Sequence, residues 1–442
     1  MTIITRFAPS PTGLLHVGNL RTMLINWLHA RSNNGKFILR IDDTDSKRSE
    51  NKYLKALQDD LKSIGVDWDI IFKQSTRLEK YKKIKDKLIY LKRLYPCYET
   101  RGELIIKREK LLKRNLPPIY DRTSLKLSNI KKKELELKGV KPYWRFLLHD
   151  SLISWDDGVK GRLNFHSRNL SDPILIRSDE TITYNLASVI DDIEYKVTDI
   201  IRGEDHISNS ALHLQLFEAL STKPPKFSHI SLLSENYEKL SKRKVGNSNI
   251  KELIKRNIVP KAISSFLIQI GHSNAMSAKK TLQDLTKEFS LQQLSKSTIQ
   301  YHYKELMIFN TKVLRCLEFV EIKPILKSLN INNVDESFWL FIRTNIDIIE
   351  DIKYWDDVCK KDIETIITDN NLITIARKML PNKRFDYNTW DKWIKKIKEH
   401  TKLRGKNLFM PLRLALTGRS DGPNLRHLIT LINRNLIINR LK

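Results

Sequence analysis

The chain has 442 residues, of which 40% are hydrophobic, so it is long enough to build two or three domains with full cores. Its three cysteines (Cys97, Cys316 and Cys359) are too few and too scattered for a disulfide framework. The N-terminal MTIITRFAPS lacks the charged-then-apolar pattern of a signal peptide, and no apolar run reaches the length of a membrane span. These features argue against the disulfide-rich secreted and membrane classes, and they predict a cytoplasmic protein with no membrane partner.

The formal net charge is +28, from 79 Lys and Arg against 51 Asp and Glu. A polyanion such as nucleic acid is the natural partner for so basic a chain. Many of these residues are lysines beside Asn and Ile, however, so a compositional bias of the encoding genome could produce part of the excess. The charge alone leaves both explanations open.

The N-terminal residues predict a strand, a helix and a second strand. ITRFAPS (4–10) is apolar and ends in a turn, NNG (33–35) is a helix stop, and KFILRID (36–42) is typical of a buried strand. Strand, helix and strand of these lengths form a parallel crossover unit, which predicts a doubly wound, nucleotide-binding α/β domain. The helix itself is predicted from apolar residues that share one face: Leu20, Met23, Leu24, Trp27 and Leu28.

Further along the chain, the texture changes twice. Apolar spacing predicts a helix that Gly65 closes and another over residues 81–94, and from residue 99 lysine-rich turns and short strand candidates indicate an inserted subdomain. The parallel-sheet pattern is predicted to return at TITYNLASVIDD (181–192) and VTDIIRGEDH (197–206). Beyond about residue 251 helical periodicity dominates, so this half is predicted to be all-α.

The turn SPTGLLHVGN (10–19) carries a single histidine and runs directly into the first predicted helix. A helix N-terminus at the carboxyl edge of a parallel sheet offers free N–H groups to a phosphate, and Gly13 and Gly18 let the backbone come close to it. His16 between them could donate to a phosphoryl oxygen. A histidine that only caps the helix or packs against the turn is the alternative.

A second basic segment, KLSKR (239–243), follows a predicted strand and turn. Such a loop could close over a triphosphate and neutralise the charge that develops in a transition state. In a chain so rich in lysine, an exposed basic loop without function is the alternative.

Taken together, RFAPSPTGLLHVGN, RIDDTD, YNLASVIDD, IRGEDHISN and KLSKR occur in the order and at the approximate separations of the class I glutamyl-tRNA synthetases. The chain resembles this family nearly end to end, including KNLFMPLRLALTGRSDGP (406–423) in the tail. PTGLLHVGN is similar to the family's HIGH signature and KLSKR to its KMSKS signature. The resemblance implies five parts: a Rossmann-type catalytic domain in two halves (1–98 and 184–250), an inserted α+β acceptor-stem-binding subdomain (99–183), a helical stem-contact junction (251–309) and an all-α anticodon-binding domain (310–442).

The resemblance also implies a reaction and its residues. L-glutamate would be attached to the 3′-terminal adenosine of tRNA-Glu through a glutamyl-adenylate, with ATP and Mg²⁺, by a chain that acts as a monomer. His16, Lys239 and Lys242 would be catalytic. The implied glutamate-binding residues are Arg6, Ala8, Ser10, Asp42, Tyr184 and Arg202. The implied ATP-binding residues are His16, Gly18, Asp205, Lys239, Ser241, Lys242 and Arg243.

The sequence departs from the family at several positions. Asp42 stands where many members have glutamate, which keeps the charge that faces the substrate amino group but shortens its reach by one methylene. Ser188 replaces a common Asn or Val, a change that could alter hydrogen bonding in the substrate pocket. Many bacterial relatives carry zinc in the insert, but YPCYET (95–100) has Cys97 with Glu99 at the partner position, and IYDRTS (119–124) has no cysteine. Because tetrahedral zinc needs four ligands, no zinc is predicted and Cys97 is expected to be an ordinary buried thiol.

Four alternatives differ in class or substrate. A misacylating paralogue would attach glutamate to tRNA-Gln, and the sequence offers no safe discriminator. A shortened relative that modifies a base lacks the anticodon half, so residues 310–442 disfavour it, and a glutaminyl-tRNA synthetase has a β-barrel C-terminal half, which the helical periodicity disfavours. A silent RNA-binding protein would be expected to lose the ATP signatures, and both survive here.

Overall fold

The computed structural model of this protein describes residues 2–45, 48–235, 238–239 and 249–442, with only the backbone at 235, 238 and 239. The chain divides into two compact units. The first comprises Met1–Leu253 and Ile263–Tyr303, and the second comprises Ile254–Ala262 and Lys304–Lys442.

The first unit begins with the predicted strand–helix–strand. Three strands pair in parallel in the order β1-β2-β3, with a helix in each connection: β1 (Ile4–Phe7), α1 (Val17–Ser32), β2 (Lys36–Ile41), α2 (Asn51–Ser63) and β3 (Ile70–Lys73). The next helix, α3 (Leu78–Tyr90), ends four residues before the predicted Leu94. The chain turns there because Lys92 adopts a positive φ of 55° and Leu94 already begins a strand.

The segment that follows is the predicted mixture of helices and short strands. Its elements are β4 (Leu94–Cys97), α4 (Arg101–Lys113), α5 (Asn129–Leu137), β5 (Tyr143–Phe146), β6 (Leu152–Asp157), β7 (Gly161–His166) and β8 (Ile174–Ile176). Strands β4, β5 and β8 form an antiparallel sheet, and β6 and β7 form a hairpin.

The chain then returns to the parallel sheet through α6 (Tyr184–Glu194), β9 (Asp199–Gly203), α7 (Ile207–Ala219) and β10 (Lys226–Ile230). The prediction of sheet at 181–192 is therefore wrong, because most of this segment is α6. Seven of the eleven α6 residues are buried, including both polar and apolar ones, so the apolar run hides the helical period. Strand β10 pairs in parallel with β9.

Strand β9 lies beside β1, because the N–H of Thr198, just before β9, donates to the carbonyl of Ile4 at 2.9 Å. The chain therefore winds outward in one direction through β1, β2 and β3 and in the other through β9 and β10. The gap between β1 and β9 is the switch point of a doubly wound sheet.

The first unit closes with β11 (Leu233–Glu235), β12 (Glu238–Lys239), α8 (Ile250–Lys255), α9 (Pro260–Gln269), α10 (Leu282–Glu288) and β13 (Ile299–Gln300). Residues 254–255 of α8 and 260–262 of α9 are counted with the second unit. The rest of the second unit is helical as described: α11 (Tyr303–Cys316), α12 (Phe319–Ser328), α13 (Glu336–Ile342), α14 (Asp351–Lys360), α15 (Asn370–Lys378), α16 (Tyr387–Thr401), α17 (Lys406–Thr417), α18 (Leu425–Leu431) and α19 (Arg434–Arg440). Trp339, Trp355 and Trp393 are fully buried in it. No helix among the described residues is long and apolar enough to cross a membrane.

Candidate active site

A cavity of about 630 Å³ lies at the carboxyl ends of β1 and β9. Phe7 ends β1, Gly203 ends β9, and both line the cavity. Ligands of doubly wound sheets bind at such a switch point. Nine of the residues singled out from the sequence line this one cavity: Arg6, Ala8, Ser10, His16, Gly18, Asp42, Tyr184, Arg202 and Asp205.

His16 is the N-cap of α1. Its Nδ1 accepts hydrogen bonds from the backbone N–H groups of Gly18 at 3.1 Å and Asn19 at 3.4 Å. Because Nδ1 is the acceptor, the proton of the neutral ring lies on Nε2, which is then a donor. A Cβ at Gly18 would lie 3.0 Å from His16 Cε1, so glycine gives the ring its room. His16 therefore does cap the helix, as the alternative interpretation proposed, and the capping hydrogen bonds hold its ring at the cavity wall.

Arg6 lies in β1 and is only 4% exposed. Its Nε donates to Asp192 Oδ1 at 3.1 Å. Within the described part of the chain its two terminal nitrogens have no hydrogen-bond partner, although Arg6 lines the cavity. A guanidinium anchored through Nε and open at its terminal nitrogens suits a carboxylate or phosphate ligand.

Arg40, in β2, connects Asp42 to Asp192. Its Nε donates to Asp42 Oδ1 at 2.7 Å and one terminal nitrogen donates to Asp192 Oδ1 at 2.9 Å, while the other donates to Ser188 Oγ at 2.9 Å. Burial raises the pKa of Asp42 to about 6, although the Arg40 guanidinium opposes the shift. Asp42 and Ser188, the two pocket residues interpreted from the sequence as departures, therefore share one partner.

Arg202, in β9, is 5% exposed and lines the cavity. Its terminal nitrogens donate to Tyr184 OH at 3.0 Å and to Ser210 Oγ at 2.7 Å, and its buried Nε has no partner. Burial lowers the pKa of this guanidinium, and Arg6 lowers it further. No carboxylate among the described residues forms an ion pair with Arg202. Its other contact is the Phe227 ring, 5.5 Å from the guanidinium carbon. A buried cation without an ion-pair partner is costly unless an anion joins it.

The structure describes the second basic segment only in part. The backbone of Lys239 lies in β12, paired with Ser234, whereas Ser241, Lys242 and Arg243 lie outside the described residues. The described chain resumes at Asn249, which forms a backbone bridge with His16. The placement of these loop residues stays a prediction.

Three residues that the sequence did not single out hold the site together: Arg40, Asp192 and Ser210. Arg40 stands in the apolar run KFILRID, and Asp192 closes the apolar run of α6. A charge inside an apolar segment is buried, and a buried charge needs a partner. This signal marks Arg40 and Asp192 as members of an ion-pair network, but it does not identify their partners. Ser210 carries no such signal.

The two insert segments that were considered above as a zinc site, 95–100 and 119–124, are linked here by hydroxyl groups. Glu99 accepts from Tyr120 OH at 2.6 Å, from Ser124 Oγ at 2.8 Å and from Tyr143 OH at 3.2 Å. Cys97 is buried, and burial raises the pKa of its thiol to about 11. No group of three or more His, Cys, Asp or Glu side chains in the described part of the chain is arranged to hold a metal. The absence of zinc stays a prediction.

Comparison with known proteins identifies the family of this chain. Residues 2–316 match the family model described as class I tRNA synthetases (E and Q), catalytic domain, and residues 342–442 match the anticodon binding domain. The glutamate–tRNA ligase 2 of Rickettsia canadensis is 45% identical over 442 residues, with 99% of each chain covered. The glutamate–tRNA ligase 1 of Rickettsia prowazekii is 46% identical, with 99% of this chain and 98% of that protein covered.

Solved structures of glutamate–tRNA ligases are similar to this chain over its full length. A glutamate tRNA ligase from Elizabethkingia meningosepticum, in complex with its amino acid, has a TM-score of 0.85 and 25% identity and covers 100% of this chain and 98% of its own. The synthetase from Elizabethkingia anophelis gives the same TM-score at 26% identity. The predicted fold class, a Rossmann-type α/β catalytic part followed by a helical anticodon-binding half, is confirmed. The chain belongs to the glutamate–tRNA ligase family of class I aminoacyl-tRNA synthetases.

Proposed function

We propose that this protein attaches L-glutamate to the 3′-terminal adenosine of tRNA-Glu, with ATP converted to AMP and pyrophosphate. The observation that carries the proposal is Arg202, a buried guanidinium in the cavity that has hydroxyl partners but no carboxylate among the described residues. Arg6, open at its terminal nitrogens, lines the same cavity. Two such groups suit a substrate with two carboxylates.

Glutamate would be held by three charged side chains. Arg202 with Tyr184 would bind the side-chain carboxylate, because the Tyr184 hydroxyl already lies 3.0 Å from a terminal nitrogen of Arg202. Arg6 would bind the other carboxylate and Asp42 the ammonium group. Ala8 and Ser10, on the turn after β1, would complete the wall around the amino acid.

The first step would form the adenylate. The α-carboxylate oxygen of glutamate attacks the α-phosphorus of ATP, the bond to the bridging oxygen breaks, and pyrophosphate leaves. His16, as an Nε2–H donor, and Lys239 and Lys242 of the basic loop would stabilise the phosphoryl charge, with Gly18, Asp205, Ser241 and Arg243 around the nucleotide. Mg²⁺ would add charge neutralisation at the triphosphate, whose oxygens are ligands that this ion prefers.

The second step would transfer the glutamyl group. The 2′-hydroxyl of the terminal tRNA adenosine attacks the carbonyl carbon of the mixed anhydride, the hydroxyl proton is released, and AMP leaves. No side-chain nucleophile is needed. We propose that residues 1–98 and 184–250 form the catalytic part. Residues 99–183 would contact the acceptor stem of the tRNA, residues 251–309 the stem junction and residues 310–442 the anticodon. We further propose a monomer, without structural zinc, that works in the cytoplasm.

The test is glutamylation of purified tRNA-Glu and tRNA-Gln, assayed separately. Charging of tRNA-Glu alone supports the proposal. Charging of tRNA-Gln as well would identify a non-discriminating enzyme, and charging of tRNA-Gln alone would identify the misacylating paralogue. Charging of neither tRNA would contradict the proposal and favour an RNA-binding protein that kept the fold.

A further inference from the structure

The serine that contacts Arg202 is the first member of a buried hydrogen-bonded chain. Ser210 Oγ lies 2.7 Å from His229 Nε2, and His229 Nδ1 lies 2.5 Å from Asp157 Oδ2. Ser210 and His229 are 0% exposed and Asp157 is 6% exposed. These three residues come from α7, β10 and the end of β6. This series of hydrogen bonds therefore connects the Arg202 guanidinium in the cavity to the β6–β7 hairpin of the inserted segment.

Asp157 is fixed independently of its contact with His229. Its Oδ1 accepts from the backbone N–H groups of Val159, Lys160 and His229 at 3.1, 3.0 and 2.9 Å. Burial opposes ionisation of Asp157, but hydrogen bonds from His229 and the backbone outweigh it and lower the pKa of the carboxyl to about 2. Asp157 is thus an anion that can only accept hydrogen bonds.

Because Asp157 accepts a hydrogen bond at Nδ1 of His229, it determines whether the other ring nitrogen, Nε2, donates or accepts. Burial lowers the pKa of His229, so the ring is neutral near pH 7 and carries one proton. That proton lies on Nδ1, where Asp157 accepts it, and Nε2 is then an acceptor. Ser210 donates its single O–H proton to Nε2 at 2.7 Å, the nearer acceptor, rather than to the His206 carbonyl at 3.4 Å. The oxygen lone pairs of Ser210 are left to accept from Arg202.

The hairpin turn that carries Asp157 is itself tied to β10. The N–H of Gly158 donates to the carbonyl of Phe227 at 2.9 Å, and a Cβ at Gly158 would lie 2.2 Å from Ser228 Oγ. A side chain at residue 158 would therefore require the Ser228 hydroxyl to rotate or the turn to move from the strand. Close contact of the turn with β10 keeps Asp157 within reach of His229.

We propose that Asp157, His229 and Ser210 are positioning residues that hold the Arg202 guanidinium in place for the substrate carboxylate. The inference rests on the proposed function, because it assigns Arg202 to glutamate. The order serine, histidine, aspartate is that of a hydrolase triad, but this serine is fully buried and accepts a hydrogen bond from Arg202. It acts on the orientation of Arg202 and forms no bond with substrate.

The experiment compares KM for glutamate, KM for ATP and kcat in tRNA-Glu glutamylation by the full chain. Ser210→Ala removes the acceptor of Arg202. His229→Asn keeps a donor near Asp157 but cannot reach Ser210, whereas His229→Gln places a carbonyl oxygen near the position of Nε2. Ser124→Ala, which removes a buried hydroxyl beside Glu99, is the matched control.

We expect Ser210→Ala and His229→Asn to raise KM for glutamate about tenfold, with KM for ATP and kcat changed less than about threefold. His229→Gln should restore KM for glutamate to within about threefold of the wild-type value, and Ser124→Ala should leave it unchanged. Equal values of KM for glutamate in His229→Asn and His229→Gln, or a common rise in both KM values, would overturn the proposal.

A spectroscopic measurement keeps the test independent of folding of the variants and of the proposed function. Long-range ¹H–¹⁵N correlation on the histidine-labelled wild-type protein reports which ring nitrogen of His229 carries the proton. A neutral His229 ring protonated on Nδ1 supports the hydrogen-bonded series from Asp157 to Arg202, even if the protein fails to charge tRNA-Glu. A ring protonated on Nε2, or on both nitrogens at pH 7, would overturn it.

Discussion

Arg6 and Asp192 are 186 residues apart in sequence, yet Nε of Arg6, which lines the cavity, donates to Asp192 Oδ1 at 3.1 Å. The same oxygen accepts from Arg40 at 2.9 Å, and Arg40 in turn holds Asp42. One carboxylate oxygen on α6 therefore joins the ends of β1 and β2. Its partner oxygen, Oδ2, is buried without a hydrogen bond, so the arrangement depends on charge rather than on a full set of hydrogen bonds.

Asp192→Asn removes the negative charge from two buried guanidinium groups while keeping nearly the same shape. We expect the free energy of unfolding to fall by about 3 kcal/mol, because a buried cation is left uncompensated. KM for glutamate should rise as well, since Arg6 loses its anchor. Urea unfolding followed by circular dichroism measures the first effect and steady-state kinetics the second.

The control for this variant is Asp156→Asn. Asp156 pairs with Arg162, but its side chain is 81% exposed, so its loss should change the free energy of unfolding by less than about 0.5 kcal/mol. Equal urea midpoints for the two variants would mean that Asp192 does not compensate Arg6 and Arg40.

The pKa of Asp42, raised by burial to about 6, predicts an acid limb in the pH profile. Above this value Asp42 is an anion that attracts the substrate ammonium group, and below it the carboxyl is neutral. We expect kcat/KM for glutamate to fall about tenfold between pH 7 and pH 5, as the free enzyme takes up this proton. Initial rates at subsaturating glutamate measure it.

Asp42→Asn tests the assignment of that limb. The variant should be less active at pH 7, and its profile between pH 5 and pH 7 should be nearly flat because the titrating group is gone. An unchanged acid limb in Asp42→Asn would assign the pH dependence to another group.

Lys242 lies in the segment that resembles the family's second ATP signature. Lys242→Ala should lower kcat about 10²- to 10³-fold, because a cation that meets the charge of the transition state is lost. Affinity for tRNA-Glu should change little. Lys62→Ala, which removes an exposed lysine in the last turn of α2, is the control and should keep full activity. A kcat for Lys242→Ala within threefold of the control would remove Lys242 from the catalytic set.

The net charge of +28 predicts strongly salt-dependent tRNA binding. Each phosphate contact releases a counterion, so about five contacts would weaken binding roughly 10²- to 10³-fold between 50 and 200 mM salt. Fluorescence anisotropy with labelled tRNA-Glu measures this slope, and glutamate affinity in the same buffers is the reference. A slope near zero would assign the excess lysine to genomic composition.

Local pattern was sufficient for much of the catalytic part. The turn at 10–19, the helix after it and the strand at 36–41 follow from glycine, proline and apolar spacing within a few residues. The resemblance, which rests on five motifs between residues 6 and 243, assigned nine residues that line a single cavity. Its prediction for the basic loop stays open, because residues 241–243 lie outside the described part of the chain.

Prediction of secondary structure from local sequence pattern was wrong where an element is buried on several sides. Residues 181–192 read as sheet because α6 is buried on several sides, so its polar and apolar residues no longer alternate with a helical period. The helix predicted over residues 81–94 was too long for a related reason: its apolar pattern runs on into β4, which is also buried.

The sequence by itself determined the family, the fold class and the residue types at the cavity, because these follow from local spacing and from segments that resemble known synthetases. Only the tertiary structure decided which buried charged and hydroxyl side chains contact each other. The contacts Arg6–Asp192, Arg40–Asp42, Arg202–Ser210 and His229–Asp157 form on folding. Three of the four join different elements of the chain. Their partners cannot be read from spacing, because a buried charge or hydroxyl requires a partner but does not specify where in the sequence that partner lies.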